Sequence, residues 1–279
     1  MKIIADSGST KTDWAILKES KQPVFTQTRS LNPYFIDREL SVNSLLENKK
    51  LYSVKEDTLQ IFFYSAGCGN GENKRVIREI LFNVFPKSEI NIETDLLGAA
   101  RGLLKSLKGI IAILGTGSNS GYYDGKKISS KQPSLGYILG DEGSGNAIGK
   151  ALIRAYAYNE MPKEMVQAFE SAFEVDQQKL LGRLYKESFP AYYLASFASF
   201  CIKHKNEKFI HELIQKELSC FFKHHILRYE NIRNCKIAFT GSVAWEFKNI
   251  LDDLSGQENL YISKVEKAPI HSLADYHFI

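Results

Sequence analysis

The stretch ADSGSTKTDW near the start of the chain concentrates groups that can bind a phosphate at the end of an apolar strand. Glycine lets the backbone approach an anion closely, and Ser9, Thr10, Lys11 and Thr12 can donate hydrogen bonds to it. The spacing is not that of a P-loop, and no strict G-x-G-x-x-G occurs in the chain. Asp6 would repel a phosphate unless the carboxylate holds Mg²⁺. The segment predicts a hairpin that binds phosphate and metal, with a plain polar turn as the alternative.

A similar strand–loop–strand pattern recurs about a hundred residues further along the chain. ILGTGS aligns with ADSGST when Gly115 is placed on Gly8, and the second loop offers Thr116, Gly117 and Ser118 to a ligand. A repeated unit of this kind predicts two similar halves, each of which contributes one phosphate loop to a shared cleft.

Two further glycine-containing loops precede predicted helices. LGDEGSG contains Asp141 and Glu142 just before a helix, whose N-terminus attracts anions and polar ligand groups. Both acids could instead serve only as helix caps. FTGSVA, residues 239–244, predicts a strand, a glycine turn and a helix start, against which a nucleoside can lie. By itself it would be an ordinary strand-to-helix turn.

The segments between these loops predict an α/β protein. Amphipathic and apolar patterns predict helices over 37–48, 72–85, 162–187, 191–204 and 207–230, and strands over 59–65, 89–95, 236–241 and 259–265. The repeat predicts an N-terminal lobe over 1–108 and a C-terminal lobe with a helical insertion over 109–266. A closing helix over 267–279 is expected to pack back on the first lobe.

Composition limits the class of protein. The chain has 279 residues, of which 44% are hydrophobic and 24% charged, with a formal net charge of +4 and no basic arm of the kind that binds nucleic acid. It lacks a run of about 18 apolar residues, which argues against a membrane span. Asp6 comes too early for a signal peptide, so we expect a cytoplasmic protein. The four cysteines are widely spaced, which favours free thiols over a metal cluster.

The loops and their order together resemble the actin/sugar kinase/Hsp70 superfamily. DSGSTKTDW, the TD at 94–95, GTGSN, GDEGS and TGSVA resemble the BadF/BadG/BcrA/BcrD-type ATPase family more closely, a family that includes N-acetylglucosamine kinase. PIHSLADYH is similar to the closing helix of that family, whereas the helical region 150–230 shares only its architecture. The resemblance implies a two-lobed actin-like ATPase fold, related to ribonuclease H, with nucleotide and sugar bound in an interdomain cleft.

The resemblance also implies ATP and Mg²⁺ as cofactors. Asp6 would act on Mg²⁺, and the terminal phosphates of ATP would meet Thr10 and Lys11. The residues implied in nucleotide binding are Ser9, Thr10, Lys11, Thr116, Gly117, Gly241, Ser242 and Val243.

Asp95 aligns with the catalytic base of the family. A carboxylate at the end of a strand can accept the proton of a sugar hydroxyl as phosphoryl transfer begins. The alternative is that Asp95 only caps the helix that starts at Leu96, a position for which Asp is a favoured residue.

Asn32, Asn119 and Asp141 are the implied sugar ligands, since Asn and Asp can bond paired hydroxyls or an N-acetyl group. Asn32, which precedes a proline, could instead be only a turn residue. Animal N-acetylglucosamine kinases carry a Gly-Trp pair six residues before the matched Asp, whereas this chain has Ser134-Leu135. N-acetylglucosamine, glucosamine and N-acetylmuramic acid therefore all remain candidate substrates.

The function implied is ATP-dependent phosphorylation of an amino sugar, with N-acetylglucosamine converted to its 6-phosphate as the first candidate and a 1-phosphate also open. The partner is a small-molecule sugar, with no nucleic acid or membrane partner expected and a homodimer left open. One alternative is an ATPase that activates a partner enzyme, although the stretch between Cys68 and Cys201 lacks the cysteines that bind the iron–sulfur cluster of such activators. Another alternative is a non-catalytic sugar sensor.

Overall fold

Two five-stranded sheets form the framework of the chain, whose computed structural model describes residues 1–18, 22–230 and 232–278. The first sheet has the strand order β3-β2-β1-β4-β5 and the second β10-β9-β6-β7-β8. The second order is the first order again when β6 is equated with β1, so the two halves share one topology. This confirms the predicted α/β class and the duplication. The strands are β1 (Lys2–Ser7), β2 (Lys11–Leu17), β3 (Val24–Arg29), β4 (Gln60–Ser65), β5 (Glu89–Thr94), β6 (Gly109–Leu114), β7 (Ser118–Tyr123), β8 (Ile128–Ser129), β9 (Lys236–Thr240) and β10 (Ile262–Glu266).

Helices connect and cover these strands. They are α1 (Arg38–Glu47), α2 (Lys49–Tyr52), α3 (Gly71–Val84), α4 (Asp95–Leu104), α5 (Gly136–Leu139), α6 (Gly145–Ala157), α7 (Lys163–Ala172), α8 (Gln177–Tyr185), α9 (Pro190–Ser196), α10 (Ala198–Lys203), α11 (Lys208–Phe221), α12 (Ser242–Glu246), α13 (Lys248–Gln257) and α14 (Ile270–Phe278). Short 3₁₀ turns occupy Pro33–Phe35 and Ile232–Asn234, and a π-turn occupies Phe222–Ile226. Within the described residues, no helix has both the length and the apolar character that crossing a membrane requires.

Three of the predicted helices are interrupted. The segment predicted as one helix over 191–204 forms α9 and α10. The segment predicted as one helix over 162–187 forms α7 and α8, because Phe173 is extended and Asp176 starts a new helix by accepting a hydrogen bond from the backbone N–H of Lys179. The helix predicted over 207–230 ends as α11, and the π-turn follows it directly.

The pairing of the first sheet gathers three strand ends at one edge. β1 pairs antiparallel with β2 and parallel with β4, and β4 pairs parallel with β5. Ser7 is in register with Ser65, which is in register with Thr94, so β1, β4 and β5 end side by side. The residues at and just beyond these ends therefore converge, as ligand-binding residues do in parallel sheets.

The first sheet is covered on both faces. Alternate residues of a strand point to opposite faces, so Ile3 and Trp14 pack with α1 and α3, whereas Ile4 and Ala15 pack with α14. The fully buried indole of Trp14 donates its N–H to the hydroxyl of Thr28 over 2.8 Å. The sheet that carries the first hairpin is thus fixed by a dry core on each side.

The chain folds as two compact units. Unit 1 comprises Met1–Ile111, Tyr123–Ser129 and Ala268–Ile279, and unit 2 comprises Ala112–Tyr122 and Ser130–Lys267. The segment Tyr123–Ser129, which the sequence places in the second lobe, thus belongs to unit 1. The closing helix α14 packs on α4, β1 and β2 within unit 1, while Ile279, the last residue of the predicted helix, lies outside the described residues.

Two helical glycines make a matched test of the packing in unit 1. A methyl group at Gly98 in α4 would lie 2.7 Å from Cγ of Tyr64, whereas one at Gly182 in α8 would meet nothing within 4 Å. Alanine is favoured over glycine in a helix by about 1 kcal/mol, and overpacking a rigid ring costs about 1–3 kcal/mol. We expect Gly98→Ala to lower the melting temperature by several degrees and Gly182→Ala to raise it slightly. If calorimetry showed that the melting temperatures of both variants change in the same direction, it would contradict the packing described for Gly98.

Candidate functional site

The tip of the first hairpin lies between β1 and β2. The backbone N–H of Gly8 donates to the carbonyl of Lys11 over 3.1 Å and closes the turn, which contains a half-buried Ser9 and an exposed Thr10. The ammonium of Lys11 donates to Oδ1 of Asp13 over 2.9 Å. Asp13 therefore holds the lysine beside the turn that the sequence assigns to phosphate.

Thr12 does not take part in the turn as the sequence predicts. Its buried hydroxyl bonds Oγ of Ser7 over 2.9 Å, donates to the carbonyl of Arg29 and accepts from the backbone N–H of Leu31. Because Thr12 is the second residue of β2, the alternation of the strand turns its side chain into the core. Its role is to fasten the loop after β3 to the end of β1.

Two half-buried carboxylates interact at the edge where β1 and β5 end. Burial and, to a smaller extent, the negative charges of Asp95 and Asp13 raise the pKa of Asp6 to about 8, while Lys11 opposes the shift. Burial also raises the pKa of Asp95 to about 6, against the hydrogen bond that Oδ1 accepts from the backbone N–H of Leu96 over 2.8 Å. The fold thus holds both carboxyl groups where their ionised forms are poorly solvated.

The cap of α4 is Thr94 and not Asp95. The hydroxyl of Thr94 accepts from the backbone N–H of Leu97 over 3.3 Å, and Asp95 is the first helical residue. The alternative role of Asp95 as the helix cap is therefore filled by its neighbour. One carboxylate oxygen of Asp95 is bonded to Leu96, and the second has no part in the cap.

The chemistry around Asp6 suits a divalent cation. A carboxylate that two other acids push toward protonation would be stabilised by a positive charge, and Mg²⁺ prefers oxygen donors. Within residues 1–18, 22–230 and 232–278 there is no group of three or more His, Cys, Asp or Glu that could hold a metal ion. Mg²⁺ does not require such a group, since it commonly uses one or two carboxylates with water and substrate phosphates.

Asn32 lies beside the first hairpin in unit 1. It is buried, and its Oδ1 accepts from the backbone N–H of Tyr34 over 3.1 Å, which caps the short 3₁₀ turn. The preceding residue, Leu31, donates its backbone N–H to Oγ of Ser7 over 3.1 Å. Asn32 is therefore a turn residue, as the sequence allows, and its bond to Tyr34 fixes the carboxamide near the sheet edge at which Asp6 lies.

In unit 2, the loops GTGSN and GDEGS lie against each other. A methyl group at Gly117 would lie 2.9 Å from Oδ2 of Asp141, and Oδ1 of Asp141 accepts from the backbone N–H of Ser118 over 3.3 Å. The backbone N–H of Asn146, at the start of α6, donates to the carbonyl of Thr116 over 3.1 Å. Thr116, Gly117 and Asp141 are thus brought together.

Asn119 and the acids of GDEGS have other local partners. Oδ1 of Asn119 accepts from the backbone N–H of Ser120 over 2.8 Å, so this carboxamide is folded onto its own strand. The cap of α6 is Ser144, whose Oγ accepts from the backbone N–H of Ala147 over 3.3 Å. Neither Asp141 nor Glu142 is the helix cap that the sequence allows.

The turn TGSVA approaches the end of β6. Gly241 has φ +114°, and a methyl group there would lie 2.2 Å from the carbonyl oxygen of Leu114, so only glycine fits. Ser242 is the exposed first residue of α12, whereas the side chain of Val243 is 2% exposed and belongs to the core. A ligand at this turn would meet the backbone of Val243 and not its side chain.

Three residues that contribute to these loops or contact them are not among the predicted site residues. Asp13 shares a face with Lys11, two residues earlier in β2, and the strand alternation could have revealed the pair. Asn146 donates from Nδ2 both to the carbonyl of Thr116 and to Oδ2 of Asp141, over 2.8 and 2.9 Å. His225, which contacts Glu142, comes from a distant helix, and no local pattern indicates that contact.

Comparison with solved structures gives matches that extend over the whole chain. No model of a known protein family matches. The structure matches a protein of Porphyromonas gingivalis, provisionally described as an N-acetylglucosamine kinase, with a TM-score of 0.91 and 34% identity over 100% of this chain and 99% of that one. A similarly described protein of Chromobacterium violaceum matches with a TM-score of 0.74, 15% identity and coverage of 99% and 98%. It shares the fold.

A curated relative matches over a shorter region. The N-acetylmuramic acid/N-acetylglucosamine kinase of Clostridium acetobutylicum is 32% identical over 106 residues, which is 38% of this chain and 35% of the relative. The chain thus spans about a third of the length of that relative. The whole-chain match agrees with the resemblance that the sequence motifs carry. The chain belongs to the N-acetylglucosamine kinase-like family of the actin-like sugar kinase superfamily.

Proposed function

We propose that this protein is an ATP-dependent kinase that phosphorylates an amino sugar, with Asp95 as the general base. The observation that carries the proposal is the carboxylate of Asp95, whose pKa is raised to about 6 at the edge where β1, β4 and β5 end. A base with a pKa near neutrality combines a largely ionised form with a useful affinity for the proton.

Asp95 receives the proton of the attacking sugar hydroxyl. Removing this proton as the bond to phosphorus forms keeps positive charge from building on the nucleophile, while the main tasks in phosphoryl transfer are alignment and neutralisation of charge. Thr94 supports this role because it caps α4, so that one carboxylate oxygen of Asp95 is not needed for the cap and is left to accept the proton. The rigid start of α4 then fixes the direction of the carboxylate.

Asp6 is the residue that would hold Mg²⁺, and Mg²⁺ bound there would neutralise charge on the terminal phosphates of ATP. Lys11 supplies a further positive charge from the hairpin, where its pairing with Asp13 restricts the ammonium. The backbone and hydroxyls of Ser9 and Thr10 are the phosphate donors of the turn. These assignments follow from the raised pKa of Asp6 and the exposure of the turn.

In unit 2 we assign Thr116 and Gly117 to the phosphates of ATP and the turn at Gly241, Ser242 and Val243 to its nucleoside. Backbone groups serve this purpose well because they approach an anion closely where no side chain intervenes. The contact of Gly117 with Asp141 supports a common site within that unit.

The sugar ligands we propose are Asn32, Asn119 and Asp141, and the product we propose is N-acetylglucosamine 6-phosphate. The name of the Clostridium relative supports N-acetylmuramic acid as a second candidate substrate for this chain. Carboxamide and carboxylate groups held by backbone hydrogen bonds are preorganised to bind hydroxyls, which lowers the entropy lost on binding.

A coupled assay of ADP release tests the proposed function. We expect ADP release to depend on an amino sugar, with N-acetylglucosamine, N-acetylmuramic acid, glucosamine and glucose compared, and ³¹P NMR to identify the phosphorylated position. ATP hydrolysis that is fast without any sugar would instead support an ATPase that activates a partner. Binding of sugar without turnover would support a sensor.

Replacing the proposed base separates chemistry from binding. We expect Asp95→Asn to lower kcat by about 10²–10⁴-fold with little change in the Kd for ATP, since a positioned base contributes that much. The kcat/KM of the wild type should fall about ten-fold per pH unit below pH 6, where Asp95 becomes protonated. Full activity of Asp95→Asn, or a flat profile between pH 5 and 7, would exclude this role.

Asp6 should reduce the stability of the metal-free protein. Its pKa is higher in the folded state than the ordinary value of 3.8 for an aspartate, so stability is lost as the pH rises from about 4 to about 8. We expect Asp6→Asn to abolish turnover and yet to raise the melting temperature by several degrees at pH 8, with little gain at pH 4.5. Asp253→Asn, at an exposed acid of α13, is the control. A lower melting temperature of Asp6→Asn at pH 8 would refute the raised pKa.

A further inference from the structure

A π-turn ends α11 in unit 2. Residues Phe222–Ile226 form one wide turn, a form that is rare and that is frequent at functional positions. The carbonyl of His225 in this turn accepts from Oγ of Ser120 in β7 over 3.1 Å. The wide turn therefore has a defined partner and is a fixed part of the fold.

The π-turn directs the imidazole of His225 at Glu142 in the GDEGS loop. Nε2 of His225 lies 3.1 Å from Oε2 of Glu142, and the buried ring stacks on Phe221 at a centroid distance of 4.8 Å. Burial would raise the pKa of Glu142, but its own backbone N–H and the contact with His225 lower it overall, so Glu142 is an anion. An anionic acceptor requires that Nε2 of His225 is the donor.

The GDEGS loop has an unfavourable backbone that needs support. Asp141 has φ +61°, a left-handed conformation that costs a non-glycine residue about 1–2 kcal/mol. Gly143 has φ +70°, and a methyl group there would lie 2.8 Å from Cβ of Phe221. α11 and the π-turn that follows it therefore contact the loop at two points, through Phe221 at Gly143 and through His225 at Glu142.

The left-handed backbone determines where the carboxylate of Asp141 lies. In this conformation it accepts from the backbone N–H of Ser118 over 3.3 Å and from Nδ2 of Asn146 over 2.9 Å. Oδ1 of Asn146 is buried without a hydrogen-bond partner, so the carboxamide is oriented by its donor side alone. Asp141 thus depends on the loop conformation to meet GTGSN.

We infer that Glu142 and His225 are positioning residues, which hold the GDEGS loop on α11 so that Asp141 keeps its left-handed backbone and its place at the second phosphate loop. They thereby set the affinity for the amino sugar, an inference that rests on the proposed function of Asp141. Neither residue takes part in proton or phosphoryl transfer.

The test uses His225→Ala and Glu142→Ala in the full-length protein. A lost charge-assisted hydrogen bond at a ligand-binding loop should raise the KM for the amino sugar about ten-fold, with kcat and the KM for ATP within about three-fold. His224→Ala is the matched control, because His224 is exposed in the same turn. The double variant should resemble each single variant, since either substitution breaks the same contact.

Conservative variants and a second readout distinguish positioning from simple loss of stability. His225→Gln keeps a donor at the place of Nε2 and should recover most of the sugar affinity, whereas His225→Asn, with a shorter side chain, should not. Calorimetric titration with N-acetylglucosamine should show the same order of Kd values. An unchanged sugar KM in both alanine variants, or equal losses in His225→Gln and His225→Asn, would overturn the inference.

The inference and the proposed function fail in different ways. A wild-type protein that phosphorylates no amino sugar would overturn the proposed function. Amide hydrogen exchange over residues 140–145 still tests the positioning role, because His225→Ala should accelerate it at least ten-fold more than His224→Ala does. Equal exchange in these two variants would overturn the positioning role whatever the substrate is.

Discussion

The burial of two carboxylates, Asp6 and Asp95, at one edge of a sheet is the constraint on which unit 1 depends. Ionised carboxyl groups are poorly stabilised in a low-dielectric environment, so the surrounding structure must hold them there. It does so through the sheet, since β1, β4 and β5 run parallel and end in register, and through the covered faces that keep the sheet rigid. Burial is the main cause of the raised pKa of both groups, and the negative charge of Asp95 adds to the shift of Asp6.

The second sheet repeats the strand order of the first, but different hydrogen bonds hold its loop. The first hairpin is fixed by side chains, as Ser7 and Thr12 bond each other and Asp13 holds Lys11. The second loop is fixed partly by backbone, as the N–H groups of Gly145 and Asn146 at the start of α6 donate to the carbonyls of Gly115 and Thr116. The side chains of Asp141 and Asn146 add bonds to Ser118 and Thr116. Duplication therefore repeats the topology, while the local hydrogen bonds diverge.

Sequence reasoning reaches the fold and the loops because both depend on local signals. Strand alternation, glycine turns and the repeat of ADSGST in ILGTGS are each contained in a few consecutive residues. They predict the α/β class and the duplicated halves, whereas the assignment of Asp141 to the sugar rests on the family resemblance. The roles of the site residues stay predictions, since their test is activity and not geometry.

The sequence does not show which hydrogen-bond partner each polar group takes in the fold. The alternation of β2 turns Thr12 inward, and its hydroxyl is then occupied by the backbone N–H of Leu31, a partner that the local sequence does not indicate. Thr94 takes the helix cap from Asp95 because a threonine hydroxyl one residue earlier reaches the N–H of Leu97. Each outcome depends on which of two adjacent polar residues has the better geometry, and composition and spacing do not contain that information.

The loops of unit 2 extend this argument from hydrogen bonds to backbone conformation. Asp141, Gly143 and Gly241 all have positive φ, yet only the two glycines adopt it without penalty. An aspartate occupies this strained position, where glycine would carry no penalty, which agrees with a use for the carboxylate there. The backbone N–H of Ser118 and the carboxamide of Asn146 hold the carboxylate, while the contact of His225 with the neighbouring Glu142 holds the loop. A side chain that is held in place within a loop of disfavoured backbone is a stronger indication of a binding site than its burial or its charge alone.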